Sequence, residues 1–268
     1  MKKTAFYEYK HDRENDFILM KNDGADCCST PPHFHRCIEI IYVTGGKMRC
    51  EVDGEAFEAE QDDIVFARRC AVHELYPAPS YTDYVLIVKA AYAGDFSAAL
   101  DKETLPPLLG DREFNRRVLR DCFEKMDRAD LSSYLVAKGY VDILMGMLLS
   151  HYEKRPVVAA PNLSTVVSAL NYIDDHFSEP ITLDSLAQKF GYNKYYFSRL
   201  FNAYIGENLN NYINMVRVQK LVAAAEKKDK INFSDLAFDF GFDSMTTFYR
   251  NYSRFYDKPP TEILHTEF

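Results

Sequence analysis

The chain has 268 residues, enough for two compact domains, and its 47% hydrophobic and 27% charged residues are those of an ordinary globular protein. Its net charge of −8 gives no bulk support to a nucleic-acid partner, so any such claim depends on where individual side chains lie. No run of eighteen apolar residues is present, and the basic N-terminal segment lacks the apolar stretch of a signal peptide. The six cysteines show no pattern of paired disulfides. Cys27 and Cys28 lie close before His33 and His35, but this spacing is only a weak indication of a zinc site. We therefore expect a cytoplasmic protein with reduced thiols and no membrane partner.

Residues 31–46, PPHFHRCIEIIYVTGG, are predicted to form one β-strand. Because alternate side chains of a strand share a face, His33, His35 and Glu39 are expected to point the same way. Imidazole and carboxylate groups at this spacing can hold a divalent metal, line the pocket of a sensor, or satisfy each other inside the domain. The residues alone leave these alternatives open.

Further short strands are predicted as far as residue 94. They cover residues 47–52, 55–59, 63–67 and 84–92. The pair Asp53 and Gly54 is typical of the hairpin turn that joins the first two of these strands. Short antiparallel strands at this spacing predict a small barrel or sandwich over residues 1–94.

Residues 95–155 are predicted to be mainly helical, with helices over residues 113–127 and 131–154. The second helix carries a largely apolar stripe with a spacing of three and four residues: Leu131, Tyr134, Leu135, Lys138, Val141, Leu144, Met145, Leu148 and Tyr152. The stripe packs on its own domain or faces a second subunit, and both uses can share one helix face. Residues 156–162, with prolines and small side chains, are predicted to be a linker.

From Leu163 onward the chain is predicted to be helical and contains an internal repeat. The segment ITLDSLAQKFGY, residues 181–192, matches INFSDLAFDFGF, residues 231–242. Each copy has a polar N-cap, a glycine where the first helix ends, and a polar cap for a second helix: Thr182, Gly191 and Asn193 in the first copy, and Asn232, Gly241 and Asp243 in the second. Helix, glycine turn and helix is the pattern of a helix-turn-helix, whose second helix enters the DNA major groove.

Another amphipathic helix is predicted between the two copies. About nineteen residues of helix span roughly 28 Å. Adjacent major grooves on one face of B-DNA are roughly 34 Å apart. A helix of this length can therefore set the spacing of two recognition helices.

The repeat and its surroundings closely resemble the AraC/XylS family of bacterial transcription regulators. The resemblance runs from Leu163 to about Ile263, with Asp257 in FYDKPP where the family usually has glycine. It implies an α+β protein in which residues 163–268 are an all-α DNA-binding domain with two helix-turn-helix motifs. It also implies a cupin-like β-barrel over residues 1–94, followed by helices over residues 95–155 that form a homodimer.

The resemblance extends to the pattern of the barrel. HFHRCIE, followed six residues later by Gly46, fits the first cupin motif, and His73 fits its later histidine. Residues 61–63, Gln-Asp-Asp, depart from the family, where a Pro-Gly turn is common. We therefore expect His33, His35, Glu39 and His73 to face a small-molecule effector, with a bound divalent metal or a purely structural polar core as the alternatives.

The period of each second helix separates core residues from outward residues. The outward residues, predicted to contact DNA, are Lys194, Tyr195, Ser198, Arg199 and Asn202 in the first helix and Ser244, Met245, Thr246, Thr247, Arg250 and Arg254 in the second. By resemblance, those at the base-reading positions are Tyr195, Ser198, Arg199, Met245, Thr246, Thr247 and Arg250.

The sequence thus predicts a ligand-responsive bacterial regulator that binds double-stranded promoter DNA sequence-specifically and is not an enzyme. By resemblance, the expected partners are RNA polymerase and an effector that is a sugar, so that carbohydrate-related genes are controlled; no cofactor is required unless a divalent metal is bound. A rival interpretation is a cupin-type metalloenzyme, an isomerase or dioxygenase, using the three histidines and Glu39. A third is a constitutive DNA-binding protein whose barrel is only structural.

Overall fold

A computed structural model of the chain describes residues 6–8, 16–24, 29–89, 92–128, 134–157, 161–225, 232–256 and 259–260. The chain divides into two compact units, Met1–Ala159 and Ala160–Phe268. None of the helices in the described ranges combines the length and apolar character needed to cross a bilayer. The predictions made for Cys27, Cys28, Leu131 and Asp257 concern residues outside these ranges.

The first unit is built mainly of β-strands. Its longer strands are β2 Phe17–Asn22, β3 Thr30–Phe34, β4 Ile38–Gly45, β5 Lys47–Val52, β6 Glu55–Glu60, β7 Ile64–Ala67, β8 His73–Pro77 and β9 Thr82–Val88, and its two-residue strands are β1 Phe6–Tyr7, β10 Glu103–Thr104, β11 Leu108–Leu109 and β12 Arg155–Pro156. The strands pair in the orders β1-β3-β8-β5-β6 and β11-β7-β4-β9-β2, with β10 and β12 as a separate pair.

The prediction of one strand over residues 31–46 is wrong. The chain leaves β3 at Phe34 and enters β4 at Ile38, and these two strands belong to different sheets. The intervening corner is held by a distant residue, because the backbone N–H of Cys70 donates to the carbonyl of His35 at 2.8 Å. The α+β class is confirmed, but the described strands pair within two facing sheets and do not close into the expected barrel.

The two sheets share an apolar core on their inner faces. It contains Ile41 and Val43 from β4 together with Met48, Cys50 and Leu75 from the other sheet. The predicted hairpin between β5 and β6 is present, and its residues Asp53 and Gly54 both have positive φ, at 50° and 87°. This geometry matches the twist of paired strands.

Helices cover the outer face of the second sheet. They are α1 Gly94–Leu100, α2 Arg112–Phe114, a π-helical turn Asn115–Leu119, α3 Arg120–Asp127 and α4 Tyr134–His151. Ile38, Ile40 and Tyr42 of β4 form one core with Phe123 of α3 and Leu144 of α4. The helix predicted over residues 113–127 is thus found as α2, the π-helical turn and α3 in direct succession.

The predicted turn at residues 61–63 anchors the start of these helices. Asp63 accepts two hydrogen bonds from the Arg112 guanidinium, at 2.8 and 2.9 Å. The Tyr42 hydroxyl donates to Asp62 at 2.5 Å, and Asp62 has a positive φ of 69°. The departure from a Pro-Gly turn therefore supplies the Asp63 carboxylate, which holds the start of the helix layer to the sheet, and the Asp62 carboxylate, which binds Tyr42 of β4.

The apolar stripe of α4 belongs mainly to the core of its own unit. Val141, Leu144 and Leu148 are fully buried there, whereas Leu135 is 79% exposed. A different set of apolar side chains remains outward, namely Val136, Ile143 and Met147. The face available to a second subunit therefore differs from the predicted stripe.

The second unit consists of helices. They are α5 Pro161–Asp175, α6 Leu183–Lys189, α7 Lys194–Ile205, α8 Leu209–Ala225, α9 Phe233–Asp239 and α10 Met245–Tyr252. The pairs α6–α7 and α9–α10 are the two predicted helix-turn-helix motifs. Helix α8 connects them and contacts both second helices, α7 and α10. Its 17 residues correspond to about 26 Å of helix.

Candidate functional site

The first helix-turn-helix is fixed by local capping bonds. The Thr182 hydroxyl accepts from the backbone N–H of Ser185 at 3.1 Å, and the Ser185 hydroxyl accepts from that of Thr182 at 3.0 Å, forming a reciprocal capping box. Helix α6 then ends at Lys189, and the turn that follows it contains Gly191, where φ is +73°. The Asn193 side chain accepts from the N–H of Tyr195 at 2.9 Å and starts α7.

The second motif has the same arrangement of caps and turn, but one of its predicted caps is wrong. Asn232 caps α9 as predicted, and Gly241 has a φ of +85°. The cap of α10 is Ser244, whose hydroxyl accepts from the N–H of Thr247 at 3.2 Å, and not the predicted Asp243. The extra residue of this copy lies before the cap, so the helices themselves remain in register.

Counting from the caps aligns the two recognition helices. Phe197 and Phe248 each lie four residues after their cap and are fully buried. Arg199 and Arg250 each lie six residues after their cap and are exposed. The core anchor and the outward arginine therefore recur at the same helical positions.

Helix α7 places most of its predicted DNA-contacting residues outward. Lys194, Tyr195 and Arg199 are exposed, Tyr195 by 70%, and Ser198 is half-buried. Asn202 is also exposed, and the amide orientation that satisfies its surroundings has Nδ2 donating to the carbonyl oxygens of Ser198 and Glu207 at 3.2 and 3.1 Å. The Asn202 side chain therefore supports the turn after α7.

Helix α10 exposes fewer of its predicted DNA-contacting residues than α7 does. Thr246 and Arg250 are exposed, whereas Met245 is half-buried and packs against the core around Phe248. Two further predicted residues are half-buried because Ser244 is the cap and Thr247 is its partner. Arg254 lies just after the helix and is exposed.

Tyr249 was missed by the sequence analysis. It is 48% exposed and stands five residues after its cap, as Ser198 does in α7. Aligning the copies from their capping residues, and not from their glycines, would have identified it.

The charged side chains differ in how they are paired. Nζ of Lys194 lies 3.2 Å from Oδ1 of Asp184, and Nη2 of Arg254 lies 2.9 Å from Oε1 of Glu207. Arg199 and Arg250 form no ion pair with any residue in the described ranges. Their guanidinium groups are thus available for a partner outside the chain.

A groove of about 920 Å³ opens beside α10 and the start of α8. Its lining includes Arg250, Arg254 and Thr247 with several asparagines, among them Asn208 and Asn211. Guanidinium and amide groups are hydrogen-bond donors suited to phosphate oxygens. The second motif therefore combines an exposed arginine with a polar groove.

In the first unit, the structure brings all four predicted effector-site residues together. His33 on β3 is paired with His73 on β8, Glu39 lies on β4 of the other sheet, and His35 lies in the corner between the two sheets. Their exposed fractions are only 1–6%. One possible ligand atom from each residue can be chosen so that all four lie within 4.8 Å of one another.

Glu39 is the centre of this cluster. One of its carboxylate oxygens lies 2.8 Å from Nε2 of His35 and 3.2 Å from Nε2 of His73. The rings of His33 and His73 have centroids 4.0 Å apart. Nε2 of His33 also lies 3.6 Å from the carboxylate of Glu8.

The other ring nitrogens of the three histidines face the backbone. Nδ1 lies 3.0 Å from the carbonyl oxygen of Pro31 for His33, 3.2 Å from that of Cys37 for His35, and 2.9 Å from that of Ala71 for His73. Because a carbonyl oxygen only accepts, each Nδ1 carries a proton and donates it. All three rings are therefore held in one orientation by the main chain.

Comparison with known proteins relates both units to regulators. Residues 24–141 match the family model of the AraC-like ligand binding domain, and residues 186–266 match that of a helix-turn-helix domain. The regulatory protein SoxS of Salmonella typhimurium is 33% identical over 101 residues, which are 37% of this chain and 92% of SoxS. The chain belongs to the AraC family of transcription regulators.

Comparison also finds similarity to two further proteins. The multiple antibiotic resistance protein MarA of Escherichia coli is 32% identical over 98 residues, covering 36% of this chain and 75% of MarA. The crystal structure of apo ToxT from Vibrio cholerae is 12% identical, covers 94% of this chain and 97% of ToxT, and has a TM-score of 0.45.

Membership of the AraC family decides between the functional interpretations. The chain is a DNA-binding, ligand-responsive transcription regulator with an N-terminal ligand-binding domain, and the metalloenzyme alternative has no support. Its buried cluster is therefore part of a ligand-binding domain and not the centre of an enzyme.

The electrostatics of the cluster follow from burial and close packing. Burial lowers the pKa of His33 to about 4, and the neighbouring charge of His73 adds to this effect. Burial alone would raise the pKa of Glu39, but the charge of His73 and the hydrogen bonds from His35 and His73 hold it well below its usual value. Burial would also lower the pKa of His73, but the Glu39 carboxylate outweighs burial and raises it. Glu39 is thus a buried anion.

Proposed function

We propose that this AraC-family regulator reads double-stranded promoter DNA through α7 and α10, with Arg199 and Arg250 as the principal base-reading residues. The observation that carries the proposal is their shared position six residues after the cap, exposed and without an ion pair within the described ranges. Arginine at such a position can bond bidentately to guanine in the major groove.

The remaining outward residues divide by their surroundings. Tyr195, Ser198, Thr246 and Tyr249 flank the two arginines and contribute base-edge or sugar contacts. Lys194 and Arg254 exchange their partners Asp184 and Glu207 for phosphates. The other predicted contacts, Asn202, Ser244, Met245 and Thr247, have their side chains engaged within the unit and act mainly by shaping the helix ends.

The first unit would bind a small polar effector. His33, His35, Glu39 and His73 supply polar groups suited to the hydroxyls of a carbohydrate-derived molecule, so the regulated genes would be carbohydrate-related. The match of residues 24–141 to an AraC-like ligand binding domain supports an effector in this unit.

The protein would act as a homodimer in the cytoplasm and contact RNA polymerase at the promoter. Since the predicted stripe of α4 is mostly buried, the subunit contact is assigned to Val136, Ile143 and Met147 on its outward face. The proposed domain boundaries are those predicted from the sequence. They give an effector domain over residues 1–94, a helical segment over 95–155, a linker over 156–162 and a DNA-binding domain over 163–268.

The experiment that tests DNA reading is selection of binding sites from random duplexes by the purified full chain. We expect an enriched motif with two short elements one helical turn apart, roughly 34 Å on one face of the duplex. Competition with unrelated duplex at several salt concentrations then measures specificity separately from phosphate binding. A chain that enriches no motif, or binds selected and unrelated duplexes equally, contradicts the proposal.

The effector assignment needs its own measurement. Full-length protein is screened by thermal unfolding against a set of sugars and sugar phosphates, because a ligand that binds only the folded state raises the midpoint. His35→Ala should abolish the shift caused by an effector while leaving binding to the selected duplex unchanged. A normal effector response in that variant removes His35 from the pocket.

A further inference from the structure

We infer that the groove between the two helix-turn-helix motifs binds a backbone phosphate of the duplex, and that the Glu207 carboxylate takes the place of this phosphate in the free protein. The groove has a volume of about 920 Å³ and is lined by residues within 178–182, 208–217 and 238–254. We call it the inter-motif groove. The inference rests on the proposed DNA reading and identifies where the duplex is held between the two recognition helices.

The inter-motif groove lies beside the surface proposed to read DNA. Thr247, Arg250 and Arg254 follow one another at spacings of three and four residues, and all three line the groove. The facing wall includes Thr182, which caps α6, and Asn208, which caps α8. When α7 and α10 enter adjacent major grooves, the backbones bordering the intervening minor groove pass between them. The inter-motif groove therefore faces the phosphates of this intervening segment.

The charge of the inter-motif groove suits an anion. Its described lining has three arginines, Arg217, Arg250 and Arg254, and a single carboxylate, Asp243, although the whole chain has a net charge of −8. The same lining contains five asparagines, namely Asn208, Asn210, Asn211, Asn214 and Asn251. Guanidinium and amide N–H groups donate to phosphate oxygens, and guanidinium–phosphate hydrogen bonds are among the stronger ones in proteins.

Arg217 supplies a fixed positive charge on the buried side of the groove. It is 9% exposed and donates to the carbonyl oxygens of Phe177 and Glu179, at 2.7 and 2.9 Å. It forms no ion pair with a carboxylate in the part of the chain that the structure describes. Burial lowers its pKa, and the charge of Asp243 offsets this effect only in part. An anion in the groove compensates this charge without displacing the two carbonyls.

Glu207 supplies the anion in the free protein. It lies in the turn between α7 and α8. Its Oε1 accepts from Nη2 of Arg254 at 2.9 Å, and its Oε2 accepts from Nδ2 of Asn211 at 2.6 Å. Both donors line the inter-motif groove. The side chains of Glu207 and Arg254 are 41% and 38% exposed, so the pair is weak and open to a competing anion such as phosphate.

Removing the Glu207 charge should therefore strengthen DNA binding. Glu207→Gln keeps the shape of the side chain but frees Arg254 from a competing carboxylate, and the full chain should bind the selected duplex about threefold to fivefold more tightly. Its affinity should also fall more steeply with added salt, because one more unpaired cation meets the duplex. Glu113→Gln is the matched control, since Glu113 forms an exposed ion pair with Arg117 in the first unit and should change neither quantity.

The phosphate is located by replacing single phosphates of the selected duplex with uncharged methylphosphonates. For the native chain, affinity should fall about threefold to tenfold at one or two neighbouring phosphates between the two selected elements. In Arg254→Ala the same replacements should change affinity by less than about twofold, because the side chain that meets this phosphate is already absent. Circular dichroism checks that each variant is folded.

The inference is overturned if Glu207→Gln binds no more tightly than the native chain, if no methylphosphonate between the elements matters, or if those that matter act equally in Arg254→Ala. Specific binding of the selected duplex in these cases would leave DNA reading by Arg199 and Arg250 intact, whereas a chain that selects no motif contradicts both proposals. Inorganic phosphate distinguishes a free anion. If it raises the thermal midpoint of the native chain but not of Arg254→Ala, while the methylphosphonates have no effect, the groove binds a small anion and its assignment to DNA is wrong.

Discussion

Gly241 lies directly against the guanidinium group of Arg217. A Cβ atom added to Gly241 would stand 2.9 Å from Nε of Arg217 and 2.8 Å from the carbonyl oxygen of Ser178. Arg217 is 9% exposed and donates to the carbonyl oxygens of Phe177 and Glu179, at 2.7 and 2.9 Å. The turn of the second motif is thus packed against α8 and the segment that precedes the first motif.

The two turn glycines should therefore differ in their tolerance of alanine. Among the described residues, apart from Gly191 itself and its chain neighbours, no atom lies within 4 Å of a Cβ added to Gly191. Gly191→Ala should then cost only the strain of a positive φ, about 1 kcal/mol. Gly241→Ala has the same strain and also displaces Arg217 from its two carbonyls, adding about 2 kcal/mol or more. Urea unfolding of both variants, followed by circular dichroism, measures the difference, and equal losses would show that the Arg217 contact is unimportant.

The cap of α10 gives a second matched pair. Ser244→Ala removes the hydroxyl that accepts from Thr247 and should cost about 1 kcal/mol of unfolding free energy. Asp243→Ala should cost much less, because Asp243 does not cap the helix. The same unfolding experiment measures both variants. A larger loss of unfolding free energy for Asp243→Ala would show that Asp243 is the cap, as predicted from the sequence.

The caps and turns of the repeat could be predicted because they depend on neighbouring residues. Thr182, Asn193 and Asn232 cap as expected, and both glycines have positive φ. The choice between Asp243 and Ser244 could not be made locally, since both residue types cap well. The hydrogen bond from the backbone N–H of Thr247 to the Ser244 hydroxyl decides it.

The buried cluster was only partly predictable. The alternation of residues 31–46 placed His33, His35 and Glu39 together, but it continued through the corner where the chain changes sheets. That corner depends on Cys70, which is distant in sequence and invisible to a local pattern. The buried face of α4 was also hard to predict. Apolar side chains lie on both its buried and its outward faces, so the spacing of apolar residues does not separate the two faces.

Loss of either arginine should weaken specific DNA binding. Arg199→Ala and Arg250→Ala should each cost about 1–3 kcal/mol on the selected duplex and relax preference at one base pair. Arg117→Ala removes the same charge from an exposed side chain of the first unit and serves as the control. Fluorescence anisotropy with matched and single-substituted duplexes gives both quantities. Unchanged specificity in both variants would falsify the assignment.

The outward face of α4 should control the oligomeric state. Ile143→Glu together with Met147→Glu should give a folded monomer, because both side chains are exposed, at 48% and 41%. Leu144→Glu should instead unfold the first unit, since that residue is fully buried and a charge there costs more than about 3 kcal/mol. Light scattering with circular dichroism separates the outcomes. A dimer that persists in the double variant places the subunit contact elsewhere.

Asp83 should make the first unit less stable as pH rises. It is buried, its Oδ1 has no hydrogen-bond partner among the described residues, and burial raises its pKa from 3.8 to about 6. Between these values the folded state binds more protons than the unfolded state, so the free energy of unfolding falls as pH increases and levels off above about 6.

The corresponding variant is Asp83→Asn, which cannot ionise. Relative to the native chain its stability should improve as pH rises from 4 to 7, by about 3 kcal/mol at most, because burial raises the pKa of Asp83 from 3.8 to about 6. Urea unfolding of both proteins across this pH range measures the difference. A constant offset between the two curves would mean that Asp83 does not titrate as described.

Strand β4 has the buried cluster on one side and the helix layer on the other. Glu39 faces the histidines, while the next residue, Ile40, belongs to the core that includes Phe123 of α3 and Leu144 of α4. Tyr42, two residues further on that same outer face, lies against Phe123 with ring centroids 5.4 Å apart. Because successive side chains of a strand face opposite ways, only the backbone of β4 separates the Glu39 carboxylate from the side chains that contact the helices.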